Sequence, residues 1–125
     1  MKFEDIENEW VEDCKMDRLH LDSEALKIPS LHSKWWRYMN AERKVLRELV
    51  ERSRSMENIL DGFYSRTLSI GEMEKYGFSE LPDKKVLKPD MARTIASHPK
   101  MVELKIRIGL PQDKVEYLSD IIKAI

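Results

Sequence analysis

Several residue types that mark particular protein classes are scarce in this 125-residue chain. A single cysteine, Cys14, excludes an internal disulfide framework and a cysteine-based zinc site, and it favours a reducing compartment. Four glycines are fewer than a turn-rich β-sandwich requires. No apolar run approaches the ~20 residues of a membrane-spanning helix, and the acidic N-terminus lacks the apolar core of a secretory signal. These absences leave an intracellular, helix-rich protein as the simplest interpretation.

What the chain does contain favours helices with solvated outer faces. Charged residues make up 36% of the sequence and hydrophobic residues 42%. The length suits one domain with a modest core. We therefore predict an all-α fold, with a long central helix and a C-terminal segment that forms a helical hairpin or resembles a coiled coil.

The net charge of −1 hides an alternation of acidic and basic blocks. Residues 1–33 hold four basic and nine acidic side chains, and residues 34–54 hold seven basic and three acidic ones. Residues 55–83 are acidic again, and residues 84–125 are basic again. Such asymmetry indicates polyanion binding or head-to-tail self-association. The plainer alternative is that long solvated helices carry many charges.

Local patterns divide the predicted single domain into four segments. Residues 1–29 read as an acidic amphipathic helix and a turn, in which Cys14 continues the apolar face as a small buried residue. Residues 30–62 form the long helix, which Pro29 precedes and Gly62 ends. Residues 63–88 read as a loop with one helical turn near 71–76. Residues 89–125 form the C-terminal helical region.

The long helix carries an apolar arc beside a basic one. Thirty residues span about 45 Å, which is too long for so short a chain to cover on every side. The apolar arc of about 140° contains Trp35, Met39, Val45, Leu46, Leu49, Val50, Met56 and Leu60. The neighbouring arc contains Trp36 together with Arg37, Arg43, Lys44, Arg47 and Arg54, while Lys34 and Arg52 lie at the other border of the apolar arc.

A heptad-like seam follows the C-terminal region and predicts an assembly surface. Its members are Met101, Leu104, Ile108, Val115, Leu118, Ile122 and Ile125. The register continues across residues 109–111, although Pro111 occupies a seam position. Either one helix kinks there and keeps its phase, or two helices dock on one seam.

No constellation in the sequence predicts an enzyme, and we expect neither a cofactor nor a bound metal. The three histidines are far apart, and phosphate loops, nucleophile elbows and zinc motifs are all missing. Single-stranded nucleic acid is bound by a cationic surface that follows the phosphates and by aromatic rings that stack on bases. The basic arc with Trp36 has both elements, and Phe63, Tyr64 and Arg66 repeat the pairing. The remaining alternative is a helical oligomeric scaffold or adaptor without direct DNA binding.

Four segments, in order and at comparable spacing, resemble the recombination mediator (UvsY) family of T-even-type phages. They are IPSLHSKW at 28–35, FYSR at 63–66, KVLKPDM at 85–91 and VEYLSDII at 115–122. Each segment is short, but four in sequence make the resemblance fairly specific, and the resemblance covers nearly the whole chain.

The resemblance implies a non-enzymatic protein of phage DNA recombination, repair and replication. Such proteins are small, all-helical and assemble into rings of six or seven subunits, with the C-terminal helices as the usual assembly element. They bind single-stranded DNA and help the phage recombinase to load onto DNA coated with the phage single-strand-binding protein. The implied location is the cytoplasm of the infected bacterial host, and no membrane is involved.

Two features depart from the family pattern near the aromatic pair. Members often carry Lys or Arg just before it, where this chain has SMENIL at 55–60, and the usual glycine after the pair is absent. We therefore place the emphasis on Arg47, Arg52, Arg54 and Arg66. The full predicted nucleic-acid set is Lys34, Trp36, Arg37, Arg43, Lys44, Arg47, Arg52, Arg54, Phe63, Tyr64 and Arg66.

Overall fold

Five α-helices account for most of the chain in a computed structural model, which describes residues 1–15, 21–80, 82 and 85–125. No strand occurs in these residues. The helices are α1 (Phe3–Asp13), α2 (Leu21–Tyr64), α3 (Ile70–Lys75), α4 (Lys88–Ala96) and α5 (Pro99–Ala124). The predicted all-α class, with a long central helix and a C-terminal helix, is confirmed. The sequence predicts a connection over residues 16–22, of which residues 16–20 lie outside the described residues and the last two belong to α2.

The chain divides into two units, and the first combines Met1–Leu46 with Leu110–Ile125. Its core consists of Ile6, Trp35, Met39, Leu118 and Ile121, all nearly or fully buried. Trp10 and Tyr38 meet the Trp35 ring edge-on, at centroid distances of 5.9 and 5.3 Å. Edge-to-face pairs of this kind add to the free energy that burial of the rings supplies.

The second unit, Arg47–Gly109, contains the C-terminal part of α2, the helices α3 and α4, and the start of α5. Leu60 is fully buried there and Met101 nearly so. Ser69 caps α3 by accepting a hydrogen bond from the backbone N–H of Glu72, whose carboxylate in turn accepts from the backbone N–H of Ser69. This capping box explains the helical turn predicted near 71–76. That the two units form the predicted single domain stays a prediction.

The predicted start of the long helix after Pro29 is wrong, because α2 begins at Leu21 and passes through this residue. Proline has no N–H to donate to the carbonyl four residues earlier, and its ring crowds that carbonyl. The carbonyl belongs to Ala25, and both Ala25 and Pro29 are exposed. Water can therefore hydrate the unpaired carbonyl, which removes part of the penalty.

The predicted end at Gly62 is also wrong, since α2 continues to Tyr64. A Cβ at position 62 would lie 2.9 Å from a methyl group of Leu68, so a larger residue there would require the Leu68 side chain to shift. The helix ends in a Schellman arrangement, in which Arg66 adopts φ 60°. Thr67 N–H donates to the Gly62 carbonyl at 2.9 Å, and Arg66 N–H donates to the Phe63 carbonyl at 3.1 Å.

Two further expectations are settled by burial and by helix continuity. Cys14 is exposed, so its predicted burial is wrong. It is the C-cap residue of α1. α5 is a single helix through Gly109 and Pro111, which corresponds to the one-helix alternative for the C-terminal seam.

Candidate nucleic-acid interface

One side of α2 within the first unit brings an aromatic ring and three cations together. Trp36, Arg37, Arg43 and Lys44 are all exposed. The three cations follow Trp36 by one, seven and eight residues, so all four side chains lie within about 120° of the helix circumference. Trp35 lies one residue, or about 100°, away and is buried in the core, so adjacent tryptophans have different roles. The sequence-predicted division between the apolar and basic arcs is therefore present in this unit.

Trp36 and Arg43 form a cation–π pair on this surface. The guanidinium carbon of Arg43 lies 5.5 Å from the centroid of the Trp36 ring. The indole remains 38% exposed. An exposed ring next to a guanidinium offers a surface on which a base can stack and a charge that a phosphate can approach. We call the set Trp36, Arg37, Asn40, Arg43 and Lys44 the α2 basic face.

Asn40 belongs to this face although the sequence analysis did not single it out. It is exposed and lies one helical turn from both Trp36 and Lys44. Its side-chain amide has donors and acceptors that can meet a base edge or a phosphate. Helical spacing alone would have found it, because position 40 falls at the centre of the arc that the cations define.

Lys34 is held by acidic side chains of α1 instead of facing solvent freely. Its ammonium lies 3.0 Å from a Glu9 carboxylate oxygen and also contacts the Asp13 carboxylate. Burial by itself lowers the pKa of Lys34, but the hydrogen bonds and charges of Asp13 and Glu9 outweigh this effect and raise it. The side chain is only 26% exposed. We therefore leave Lys34 out of the α2 basic face.

The same carboxylates also bind two aromatic side chains of the first unit. The indole N–H of Trp35 donates to Asp13 at 3.0 Å, and the Tyr38 hydroxyl donates to Glu9 at 3.0 Å. Burial, followed by the hydrogen bond and charge of Glu9, raises the pKa of Tyr38. This network orients Trp35 toward the core.

The second unit carries the other predicted cations of α2. Arg47, Arg52 and Arg54 are exposed. Arg54 pairs with Glu51 at 3.0 Å, and both side chains are largely exposed. Exposed ion pairs contribute about 0–1 kcal/mol. Little free energy would therefore be lost if a phosphate replaced Glu51 as the partner of Arg54.

The paired aromatics after these cations pack within the second unit. The Phe63 ring stacks on Phe78 with centroids 4.1 Å apart, and Tyr64 meets His98 edge-on at 6.4 Å. Burial, and then the nearby Lys100 charge, lowers the pKa of His98. One face of Phe63 is therefore already occupied. Phe78 was missed in the sequence because nothing local links it to residue 63.

Arg66 fixes the chain just beyond α2. Its guanidinium donates to the carbonyl of Pro82, and the Val86 N–H donates to the Tyr64 carbonyl at 3.1 Å. Arg66 is exposed, so its remaining N–H donors face solvent. Arg66 therefore has a structural role. Its predicted role in nucleic-acid binding stays a prediction.

Part of the predicted assembly seam on α5 is buried by packing within the chain itself. Leu118 is 0% exposed and belongs to the first-unit core, against which Val115, Ile122 and Ile125 pack. Met101 is buried in the second unit, and Leu104 and Ile108 are half-buried there. A different row on α5 is exposed and apolar: Val102, Ile106 and Leu110, spaced four residues apart.

Two other kinds of site were sought in the described part of the chain. Residues 1–15, 21–80, 82 and 85–125 contain no cluster of three or more His, Cys, Asp or Glu side chains that could hold a metal ion. No described helix combines the length and the apolar character needed to cross a membrane.

Comparison with known proteins gives one family and one solved structure. A family model described as "Recombination, repair and ssDNA binding protein UvsY" matches residues 9–125. The crystal structure of the bacteriophage T4 recombination mediator protein UvsY superposes with a TM-score of 0.81 at 18% sequence identity. The superposition covers 99% of this chain and 85% of that one, and it shows a shared fold. No curated protein matches the sequence.

Proposed function

Because the chain belongs to the UvsY family, we propose that it is a non-enzymatic recombination mediator that binds single-stranded DNA. In this proposal it promotes loading of a phage recombinase onto strands coated with single-strand-binding protein. The observation that carries the DNA-binding part is the exposed Trp36–Arg43 pair, flanked by Arg37 and Lys44. The partners and the loading step rest on the family alone.

The α2 basic face supplies two kinds of contact. Its three cations neutralise phosphates, which releases counterions and makes affinity fall with salt. The Trp36 ring stacks on a base, a contact that tolerates any sequence and is worth about 1–3 kcal/mol. In duplex DNA the bases are already stacked on each other, so the tryptophan has no base face to meet. The face therefore favours single strands over duplex.

A ring of several subunits would strengthen such weak contacts. Three cations and one ring on a chain of net charge −1 give a modest affinity for each subunit. When several copies hold one strand, the second and later contacts are intramolecular, and avidity rises steeply. We propose a homo-oligomer for this reason, and the family resemblance suggests the number of six or seven subunits. The strand would be held in a shape that loosens the coating protein and suits the recombinase.

Fluorescence anisotropy with a labelled oligothymidylate tests the DNA-binding part. We expect affinity to fall steeply between about 50 and 300 mM salt. Trp36→Ala should weaken binding by about 1–3 kcal/mol, whereas Trp36→Phe should restore much of it. Arg43→Ala should weaken binding and also reduce the salt slope by about one. Arg47→Ala with Arg54→Ala tests the cations of the second unit in the same assay.

Arg93→Ala is the matched control, since Arg93 is an equally exposed arginine on α4 and pairs with Asp90. It should leave affinity unchanged. No binding by the unmodified protein at either salt concentration would contradict the proposal and favour the adaptor alternative. Equal losses for Arg43→Ala and Arg93→Ala would show that binding depends on overall charge and not on the α2 basic face.

A further inference from the structure

A groove of about 680 Å³ lies within the second unit, between α2, α4 and α5. It contains no member of the α2 basic face, so the function proposed above does not use it. Its floor is formed by Met91 and Ile95 from α4 and by Met101 and Ile108 from α5. Methionine side chains adapt to different apolar surfaces and are common in grooves that bind helices.

The side of the groove formed by α4 carries small side chains, which allow another backbone to come close. Ala92 and Ala96 line it one helical turn apart, and both are exposed. Small side chains at this spacing leave room above α4, whereas the methionines and isoleucines beside them supply apolar contact. A groove lined by small and apolar side chains is one of the surfaces on which an amphipathic helix docks.

The rim of the groove carries charges that have no ion-pair partner among the described residues. Glu57 and Asp61 lie one turn apart on α2, Lys105 lies on α5, and Lys88 is the first residue of α4. None of these four residues takes part in an ion pair in the described ranges. The two acidic residues are four residues apart, and side chains on one face of a docked helix recur at this same i, i+4 spacing. These charges complement a helix with basic residues along one edge and acidic residues along the other.

We propose that this groove binds an amphipathic α-helix of a partner protein. The helix buries its apolar side chains against the methionines and isoleucines, directs lysines or arginines toward Glu57 and Asp61, and directs an acidic side chain toward Lys105. A second copy of this chain is the alternative occupant, and the native mass in the presence of peptide tests it.

Fluorescence anisotropy with the full chain and designed peptides tests the proposal. The probe is a helical peptide with leucines along one face, lysines along one edge and glutamates along the other. A second peptide carries glutamates on both edges. We expect the second peptide to bind about tenfold more weakly, because like charges then face α2. Glu57→Lys with Asp61→Lys should reverse this preference.

A groove-filling variant separates docking in the groove from general stickiness. Ala96→Trp should abolish binding of the first peptide, and Arg93→Trp, on the exposed side of the same helix, should leave it unchanged. Circular dichroism checks that both variants fold. Equal peptide binding by Ala96→Trp and the unmodified chain would overturn the proposal, as would an unchanged preference after charge reversal.

Two further measurements distinguish a partner helix from a second copy in the groove, and peptide docking from DNA binding. If saturating peptide lowers the native mass in sedimentation experiments, the groove is occupied by a second copy, and the partner-helix proposal is wrong. Ala96→Trp should still bind the labelled oligothymidylate. Failure of peptide docking and failure of DNA binding are therefore read from separate assays.

Discussion

At the scale of single residues, Arg66 shows how a residue with a side chain is accommodated in the left-handed conformation at a helix end. Glycine usually occupies the left-handed position at a helix end because it has no Cβ to clash. Here an arginine takes that conformation, with φ 60°, and donates to the Pro82 carbonyl. The left-handed conformation costs a residue with a side chain about 1–2 kcal/mol. The hydrogen bond offsets part of this cost.

Two substitutions at position 66 separate strain from side-chain contacts. Arg66→Gly and Arg66→Ala both remove the guanidinium, but only the glycine variant also relieves the backbone. We expect Arg66→Gly to be more stable than Arg66→Ala by about 1 kcal/mol in urea denaturation. Identical stabilities would contradict the left-handed conformation. If Arg66 contacts DNA as predicted, both variants should lose the same affinity for oligothymidylate.

Sequence reasoning at this scale succeeded where helical spacing was enough. The spacing separated buried Trp35 from exposed Trp36 and placed Arg43 beside the latter. It did not find the ion pairs of Lys34, whose partners Glu9 and Asp13 are more than 20 residues away along the chain. It also failed for the stacking of Phe63 on Phe78, which depends on how the chain folds back after α2. Contacts of this kind leave no periodic signal.

At the scale of elements, the predicted helices near the N-terminus, at 71–76, after residue 88 and along the C-terminal seam are all present. The misjudged boundaries are those of α2, at Pro29 and Gly62. Local rules treat proline and glycine as helix breakers. The exposure of Ala25 and Pro29 and the approach of Leu68 to Gly62 depend on the folded structure, which such rules do not contain.

Because Pro29 lies inside α2, its replacement should change hydrogen exchange in a way that replacement of a proline at a helix start does not. Pro29→Ala restores a donor for the Ala25 carbonyl and removes a ring clash, so hydrogen exchange of residues 21–30 should slow. Interior proline costs about 3 kcal/mol relative to alanine, which sets the upper limit of the gain in local stability. The measurement is hydrogen–deuterium exchange by mass spectrometry.

Pro99→Ala is the matched control, because Pro99 is the first residue of α5, where no helical donor is required. Exchange of the residues that follow it should change little. If Pro29→Ala behaved in the same way as Pro99→Ala, α2 would begin after Pro29, as the local pattern alone suggests.

At the scale of the whole molecule, part of the charge alternation is resolved inside the chain. The acidic block 1–33 contains Glu9 and Asp13, and the basic block 34–54 begins with their partner Lys34. The cations of the α2 basic face are left for other partners. Ring assembly stays a prediction, since one chain carries no direct record of its neighbours.

Helix α5 offers the sharpest test at this scale, because its apolar residues differ so much in burial. Leu118 is fully buried in its own chain, so Leu118→Ala should lower the free energy of unfolding by about 2–5 kcal/mol. Ile106 is 73% exposed on the same helix, so Ile106→Glu should leave the urea midpoint nearly unchanged. If the exposed row on α5 contributes to a ring, Ile106→Glu should also reduce the native mass toward the 14.8 kDa of one chain. Analytical ultracentrifugation measures that mass, and a monomeric unmodified protein would remove the basis for avidity on single-stranded DNA.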